Sequence, residues 1–141
     1  MRRGVTLLEL ALVLAITGLL LGIALPSVRR VTDRLAVHNA SLAIVSAHRR
    51  ARISAILRSR PLELTISADT LAIRVPGAAA DLWHAPGPAA DGVALEGPPR
   101  TLMFSPVGIT FGLSNATFRL SRGSATRAVI VSRLGRLRVT P

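Results

Sequence analysis

The sequence predicts an α+β protein in which one long N-terminal helix, apolar in its first half, is followed by a small head built on an antiparallel β-sheet. Three observations support this fold class. Residues 5–25 are predominantly apolar and contain one charged side chain. Residues 27–59 contain neither glycine nor proline, which favours an uninterrupted helix. From residue 62 onward the chain shows short runs of β-branched residues separated by turn residues.

The composition limits the function classes that this chain can belong to. Its 141 residues include 18 basic side chains, all arginine, against 7 acidic ones, which gives a net charge of +11. This balance favours contact with an anionic partner such as nucleic acid or a phospholipid surface, although arginines that are solvated or paired within an assembly would give the same count. The chain has no cysteine, which excludes a disulfide framework, a cysteine-ligated zinc site and a thiol nucleophile.

The apolar segment at residues 5–25 has the length of a membrane-spanning helix. At 1.5 Å per residue it spans about 31 Å, which matches the hydrocarbon core of a bilayer. Arg2 and Arg3 precede it. The positive-inside rule therefore predicts a single-pass membrane protein whose N-terminus stays in the cytoplasm and whose remaining chain lies on the other side of the membrane. An ordinary secretory signal peptide fits less well, because no clear small-x-small cleavage site follows the segment.

Glu9 is the charged side chain within the apolar segment. A carboxylate near the lipid core costs about 2.5–3.5 kcal/mol on insertion scales, and somewhat less near the edge of the core. A plain membrane anchor would have no use for such a group. We therefore expect the Glu9 carboxylate to have a partner.

Residues 4–9 (GVTLLE) resemble the signal at which prepilin peptidase processes type IV prepilins. The resemblance implies cleavage between Gly4 and Val5, which removes a leader of residues 1–4, and then N-methylation of Val5. It also implies that Glu9, fifth in the mature chain, faces the amino group of a neighbouring subunit's first residue. Such a pair would let each charge offset the desolvation of the other. The chain departs from the family in having Val5 where phenylalanine is usual.

Residues 26–60 are predicted to continue the helix as an amphipathic segment. Pro26 lies at the junction, where pilin-like proteins commonly carry a helix-kinking proline, and Pro61 is expected to end the helix. Apolar side chains recur at roughly helical spacing, and we expect this stripe to pack on the sheet. The stripe consists of Val28, Val31, Leu35, Leu42, Val45, Ile53 and Ile56.

Residues 61–141 are predicted to form the β-rich head. Short β-branched segments alternate with turn signals, a pattern that is typical of consecutive antiparallel hairpins. The predicted strands are residues 62–66, 70–75, 101–104, 109–111, 116–121, 126–132 and 136–140. Residues 76–100, which are rich in proline, glycine and alanine, are predicted to form a long surface loop that is mobile or binds a partner.

Three head segments resemble the H-type pseudopilins of type II secretion systems and the related FimT-like minor pilins. They are residues 48–56 (HRRARISAI), 104–108 (FSPVG) and 131–138 (VSRLGRLR). The resemblance implies a structural subunit of a type II secretion system or a type IV pilus, held in the bacterial inner membrane with a periplasmic head. Such a subunit would assemble with other pilins or pseudopilins into a pseudopilus or pilus, a filament for protein secretion. The head lacks the paired C-terminal cysteines of many major pilins, which favours a minor subunit.

The C-terminal segment leaves a second function open. In FimT-like proteins a Gly-Arg-x-Arg element is associated with binding DNA during natural transformation, and residues 135–138 (GRLR) match it. On a strand, Arg136 and Arg138 would point to the same face about 7 Å apart, which is the spacing of successive phosphates. A glycine-arginine turn that ends the sheet is the alternative, since secretion pseudopilins often end similarly. The candidate DNA-binding residues are Arg122, Arg127, Arg133, Gly135, Arg136 and Arg138.

The sequence predicts neither an enzyme nor a metal or cofactor site. The acidic residues are scattered, no His/Asp/Ser constellation is apparent, and no glycine-rich phosphate loop follows a strand. His38 and His48 lie ten residues apart without a second histidine or acid at ligand spacing. The predicted partners are prepilin peptidase, other pilin-like subunits, the inner membrane and, in the second reading, DNA.

Overall fold

A computed structural model describes residues 6–112 and 115–141 of the chain. The leader at residues 1–4, and with it the cleavage site between Gly4 and Val5, lies outside the described residues. The described chain divides into two compact units between Thr32 and Asp33, an N-terminal helical unit and a head unit.

One helix, α1 (Leu7–Leu57), includes the apolar segment and continues into the head unit. It begins after Thr6, whose Oγ1 accepts a hydrogen bond from the Glu9 N–H at 3.2 Å and so satisfies one free amide of the first turn. In the N-terminal unit the helix is long and apolar enough to cross a membrane, by its length and composition. Pro26 lies inside the helical run, and the kink expected there stays a prediction.

Two backbone hydrogen bonds from the residues that follow α1 end the helix. Ser59 takes a left-handed conformation with φ of 48°, and its N–H donates to the carbonyl of Ile56 at 3.1 Å. The Arg60 N–H donates to the carbonyl of Ala55 at 3.3 Å. These two bonds form a Schellman motif, and Pro61 follows immediately because it cannot continue a helix.

The predicted α+β fold is confirmed, and the antiparallel strands of the head form two sheets. The described strands are β1 (Leu62–Ile66), β2 (Thr70–Arg74), β3 (Asp81–Pro86), β4 (Ala94–Glu96), β5 (Arg100–Phe104), β6 (Thr110–Phe111), β7 (Ala116–Arg122), β8 (Ala125–Val131) and β9 (Leu137–Thr140). The first sheet has the order β3-β2-β1-β5-β6, and the second has the order β4-β7-β8-β9. Neighbouring strands pair antiparallel throughout the described sheets. Most pairs are hairpins of consecutive strands, as predicted, but β1 pairs with β5 and β4 pairs with β7, so the strands do not form one continuous series of hairpins.

The predicted long loop at residues 76–100 is wrong. This region contains β3, which pairs with β2, and β4, which pairs with β7, with a short 3-10 helix (Pro88–Asp91) between them. Both strands lie at the edges of their sheets. An edge strand leaves one row of amides unpaired, so it tolerates a proline such as Pro86. Residues 76–100, although poor in β-branched residues, therefore still form two strands, each paired with one neighbouring strand.

The side of α1 that packs on the sheets is not the predicted apolar stripe. Small residues dominate the buried side, and each of its apolar members is at most 2% exposed. These members are Val37, Ala40, Ile44, Ala47, Ala51 and Ala55. In the predicted stripe Val45 is partly buried, whereas Leu35, Leu42 and Ile53 are about half exposed, at 54%, 49% and 55%. Small side chains allow a helix to lie close to a sheet, so the alanine side forms the core contact.

Candidate interaction surfaces

The three head segments singled out in the sequence lie against one another in the fold. The ring of His48 meets the ring of Phe104 edge-on, with 4.9 Å between their centroids. A Cβ added to Gly108 would lie 2.7 Å from Ile56 Cδ1, so the β5–β6 turn rests directly on the end of α1. The Oγ1 of Thr110 donates to the carbonyl of Arg133 at 3.0 Å, which joins β6 to the β8–β9 turn. The end of α1 and the two turns therefore form a continuous surface.

The two turns have the same construction, a serine followed three residues later by a left-handed glycine. In the β5–β6 turn the Ser105 N–H donates to the carbonyl of Ile109 at 2.8 Å, and the Ser105 Oγ accepts from the Ile109 N–H at 3.1 Å. The N–H of Gly108, whose φ is 78°, donates to the Ser105 carbonyl at 2.8 Å. The serine thus closes the turn with its backbone and its side chain together.

The β8–β9 turn repeats this arrangement from Ser132 to Arg136. The Ser132 N–H donates to the Arg136 carbonyl at 2.9 Å, and the Ser132 Oγ accepts from the Arg136 N–H at 3.1 Å. Gly135, with φ of 74°, donates its N–H to the Ser132 carbonyl at 2.9 Å. The positive φ favours glycine at this position, and a Cβ there would also make a tight contact with Thr110 at 3.2 Å.

We call the surface formed by the end of α1 and the two turns the turn surface. Its apolar part consists of side chains that are 44–72% exposed: Ile53, Ile56, Val107, Ile109 and Leu134. Its basic part consists of exposed arginines: Arg49, Arg52 and Arg133. The three motif segments contain no acidic residue, so apolar and positively charged groups define the surface.

His48 lies beneath this surface as a core residue. It is 2% exposed, and neither of its ring nitrogens has a hydrogen-bond partner within residues 6–112 and 115–141. Burial, followed by the charges of Arg52 and Arg49, lowers the pKa of His48 from 6.5 to about 4. The ring is therefore neutral near pH 7 and packs as an apolar group. No cluster of three or more metal-ligating side chains occurs among the described residues.

The register of the second sheet separates the candidate DNA-binding arginines. Arg127 lies opposite Leu120, which is buried, so Arg127 belongs to the core side of β8. Arg138 lies opposite Ile130, one residue after the buried Val129, and so belongs to the outer side. Arg136 and Arg138 are both exposed and two residues apart, so strand alternation gives them the same face. Arg136 and Arg138, the tail pair, therefore lie together on the outer face of the second sheet, whereas Arg127 lies on the opposite face.

Arg122 is occupied by contacts within the head. Its Nε forms an ion pair with Asp33 Oδ1 at 3.0 Å, and its Nη1 donates to the carbonyl of Asp91. The guanidinium thus connects α1, β7 and the 3-10 helix. Arg119, which is not among the DNA-binding residues predicted from the sequence, is exposed on the same outer face as Arg138, because β7 and β9 flank β8 in matching register. Register, which only the structure supplies, identifies it.

The assembly residues predicted from the prepilin signal lie at the start of the chain. Glu9 is exposed in the first turn of α1, and its carboxylate has no ion-pair partner within the part of the chain that the structure describes. The large apolar side chains from Leu7 to Leu21 are exposed as well. Glu9 therefore stands on an apolar helix surface, open to a partner outside this chain.

The sequence and the fold of this chain are similar to those of known pilin-like proteins. The model of the family described as "Type II transport protein GspH" matches residues 40–135. The pilin-like protein PilA1 of Thermus thermophilus is 34% identical over an alignment of 157 positions that covers 98% of each chain. The crystal structure of the type IV minor pilin FimU of Pseudomonas aeruginosa PAO1 matches with a TM-score of 0.63 at 20% identity, covering 77% of this chain and 90% of that one. A second crystal form of FimU gives a TM-score of 0.58.

Proposed function

Because this chain belongs to the GspH family of pilin-like proteins, we propose that it is a minor pseudopilin of a type II secretion system. In this proposal the first half of α1 anchors the chain in the inner membrane with a periplasmic head. Prepilin peptidase cleaves between Gly4 and Val5 and methylates Val5. The mature subunit then enters a pseudopilus with other pilin-like subunits and serves protein secretion.

The observation that carries this proposal is the apolar surface that α1 leaves exposed. In the N-terminal unit every large apolar side chain from Leu7 to Leu21 is exposed. In the head unit Leu35, Leu42 and Ile53 are exposed on the side of α1 away from the sheets. Exposed apolar surface of this extent marks contact with a membrane or another protein. Lipid would cover the first part before assembly, and neighbouring helices would cover both parts in a filament.

Glu9 provides the test of this proposal. In the mature chain the carboxylate would pair with the amino group of residue 5 of a neighbouring subunit, so Glu9→Gln should leave the head folded and the leader cleaved. Incorporation into the filament should fall by about tenfold, since a buried ammonium would lose its counter-charge. Glu9→Asp, which keeps the charge, is the matched control. The measurement is the amount of subunit in sheared filaments relative to the membrane fraction, and normal incorporation of Glu9→Gln would contradict the pairing.

A second candidate function is DNA binding by a minor pilin during transformation. The observation that favours it is the exposure of Arg136 and Arg138 on one face of the second sheet, without an ion-pair partner among the described residues. Arg119 lies on the same face, and Arg133 is exposed in the adjoining turn. Phosphate contacts by such side chains would give sequence-independent and salt-sensitive binding. Arg122 and Arg127, on the other side of the sheet, are not part of this narrower proposal.

The DNA-binding candidate is tested with the full-length chain in detergent and a short DNA duplex titrated across salt concentrations. If Arg136 and Arg138 contact two phosphates, Arg136→Ala/Arg138→Ala should weaken binding and make the negative slope of log affinity against log salt shallower by about 2. Arg58→Ala/Arg60→Ala, which removes two other exposed arginines, is the charge-matched control. An equal loss in both double variants would assign binding to general basicity, and no binding at low salt would leave the secretion role.

A further inference from the structure

The turn surface carries apolar side chains that do not contribute to the hydrophobic core of the head. Val107 and Leu134 occupy the same position in the two serine-glycine turns, two residues after the serine, and they are 72% and 69% exposed. Polar residues and glycine usually occupy this part of a turn. Neither side chain belongs to the hydrophobic core cluster. Two matching turns therefore each present an apolar tip to the outside of the head.

The rest of the turn surface extends these two tips into one patch. Ile53 and Ile56 line a shallow depression of about 290 Å³ at the end of α1, together with Arg49 and Arg52. The Ile56 side chain contacts the backbone at Gly108, next to Val107. A contiguous exposed apolar patch with a charged border is the usual form of a protein interaction site.

We propose that the turn surface docks a different pilin-like subunit, whose contact face is apolar at its centre and acidic at its border. This inference rests on the proposed role as a filament subunit and adds the location and the chemistry of one subunit contact. Arg49 and Arg52 would pair with carboxylates of that partner, and the tips Val107 and Leu134 would be buried against its apolar centre.

Charge distinguishes this partner from a second copy of the chain. Beyond the membrane segment the chain has six acidic residues against sixteen arginines. Three of those acids, Asp33, Asp81 and Glu96, already pair with arginines of their own chain. A second copy would bring a strongly basic surface against the turn surface, and like charges in contact oppose association. The partner must therefore be a chain with more exposed carboxylates than this one.

The apolar tips also favour a protein partner over DNA. Arginine binds phosphate without help from aliphatic neighbours, and burying valine, leucine and isoleucine against a phosphate backbone would gain little. The outer face of the second sheet, with Arg119 and Arg138, lacks such tips and stands as the separate candidate for nucleic acid.

The test uses full-length chains in detergent. The probes are each of the other pilin-like proteins of the same organism, a second copy of this chain, a DNA duplex, and vesicles of phosphatidylglycerol. We expect one acidic pilin-like protein to bind, and Val107→Asp/Leu134→Asp to weaken that binding by about tenfold or more. Leu82→Asp, which changes an exposed apolar residue at the opposite edge of the first sheet, should leave the affinity within about twofold.

The proposed pairing of arginines with carboxylates of the partner is tested with one substitution and a matched control. Arg49→Glu should weaken binding of the acidic subunit by about tenfold at low salt and by less at high salt, whereas Arg100→Glu, at an exposed site in the first sheet, should not. The inference is overturned if no pilin-like protein binds. It is also overturned if the turn variants instead weaken binding of a second copy, the duplex or the vesicles. Normal filament incorporation that depends on Glu9 would in those cases leave the proposed function standing.

Discussion

His48 is a titratable side chain that serves as an apolar one. Its ring packs edge-on against Phe104 at the junction between α1 and β5, and both ring nitrogens lack hydrogen-bond partners among the described residues. Two arginines one turn apart, Arg49 and Arg52, add to the cost of a positive charge there. The sequence showed this histidine within an arginine-rich helix segment, and burial could not be read from that pattern because the surrounding stripe pointed to the other side of the helix.

The depressed pKa of His48 predicts acid-sensitive stability. The folded-state pKa of about 4 lies below the ordinary value of 6.5, so the unfolded chain takes up a proton first as the pH falls. Stability is then complete above about pH 6.5 and declines toward pH 4, by about 2 kcal/mol at pH 5. His48→Leu should remove this decline, whereas His84→Gln, at an exposed site, should keep it. Urea unfolding of the full chain in detergent, followed by Trp83 fluorescence, measures the effect. An equal acid loss in wild type and His48→Leu would contradict it.

The two serine-glycine turns show how much of the site the sequence contained. Residues 104–108 and 131–138 were selected as separate motifs, and the repeat of serine, two residues and glycine is present in both. What the sequence did not contain is their adjacency, which depends on the contact of Thr110 with Arg133 and Gly135. Local patterns predict a turn, and only the strand order brings two turns together.

At the scale of the element, α1 has two different apolar sides. The helical periodicity of the larger residues, leucine, isoleucine and valine, predicted one side as the core contact, because these residues are more apolar than alanine. The structure buries the side with Ala40, Ala47, Ala51 and Ala55, whose spacing of seven, four and four residues was an available signal. A helix in a monomer needs one apolar side, so the second side indicates contacts beyond the chain.

Because one side of α1 is buried and the other is exposed, substitutions on the two sides should change the free energy of unfolding by different amounts. Ala47 is fully buried, so Ala47→Leu would overfill the space between α1 and the sheets and should lower the free energy of unfolding by about 1–3 kcal/mol. Leu42 is about half exposed, so Leu42→Ala should change the free energy of unfolding by about 0.5 kcal/mol or less. Urea unfolding of both variants in detergent measures the difference. If Leu42→Ala lowered the free energy of unfolding more than Ala47→Leu does, the predicted stripe, and not the alanine side, would form the core contact.

Two edge strands, β3 and β4, could not be predicted from the sequence, although the edge strands β6 and β9 were. Central strands such as β1 and β8 are rich in β-branched and leucine residues and were predicted to within about one residue at each end. β3 and β4 lie at sheet edges and draw their stability from one neighbour and from packing. Their sequences, DLWHAP and ALE, carry little β-propensity, so tertiary pairing decides their conformation.

At the scale of the whole molecule, each chemical feature has its own surface. The alanine side of α1 holds the head together, the opposite side stays exposed, the turn surface combines apolar tips with arginines, and the outer face of the second sheet carries Arg136 and Arg138. The sequence predicted the apolar anchor and the pilin-like fold because they depend on local composition and motifs. It could not predict how the arginines divide among these surfaces, because that division follows from strand register and from the Asp33–Arg122 ion pair.

The exposed side of α1 predicts a variant that folds normally and assembles poorly. Leu35 and Leu42 lie on that side with 54% and 49% of their surface exposed, so Leu35→Asp/Leu42→Asp should change the free energy of unfolding of the isolated chain by about 1 kcal/mol or less. In a filament the same carboxylates would be buried against a neighbouring helix without partners, at a cost of several kcal/mol. Incorporation into sheared filaments should therefore fall by about tenfold or more, while the amount in the membrane fraction stays unchanged.

The control for this variant is Leu82→Asp, which replaces an exposed apolar side chain of β3, outside α1, with a carboxylate. If Leu82→Asp lowers incorporation as much as Leu35→Asp/Leu42→Asp does, added negative charge anywhere on the subunit is the cause, and the exposed apolar side of α1 has no particular role. If both variants assemble normally, the helix side away from the sheets faces solvent in the filament, and subunit contacts must come from the N-terminal half of α1 and from the head. A selective loss in Leu35→Asp/Leu42→Asp would identify this side of α1 as a filament contact.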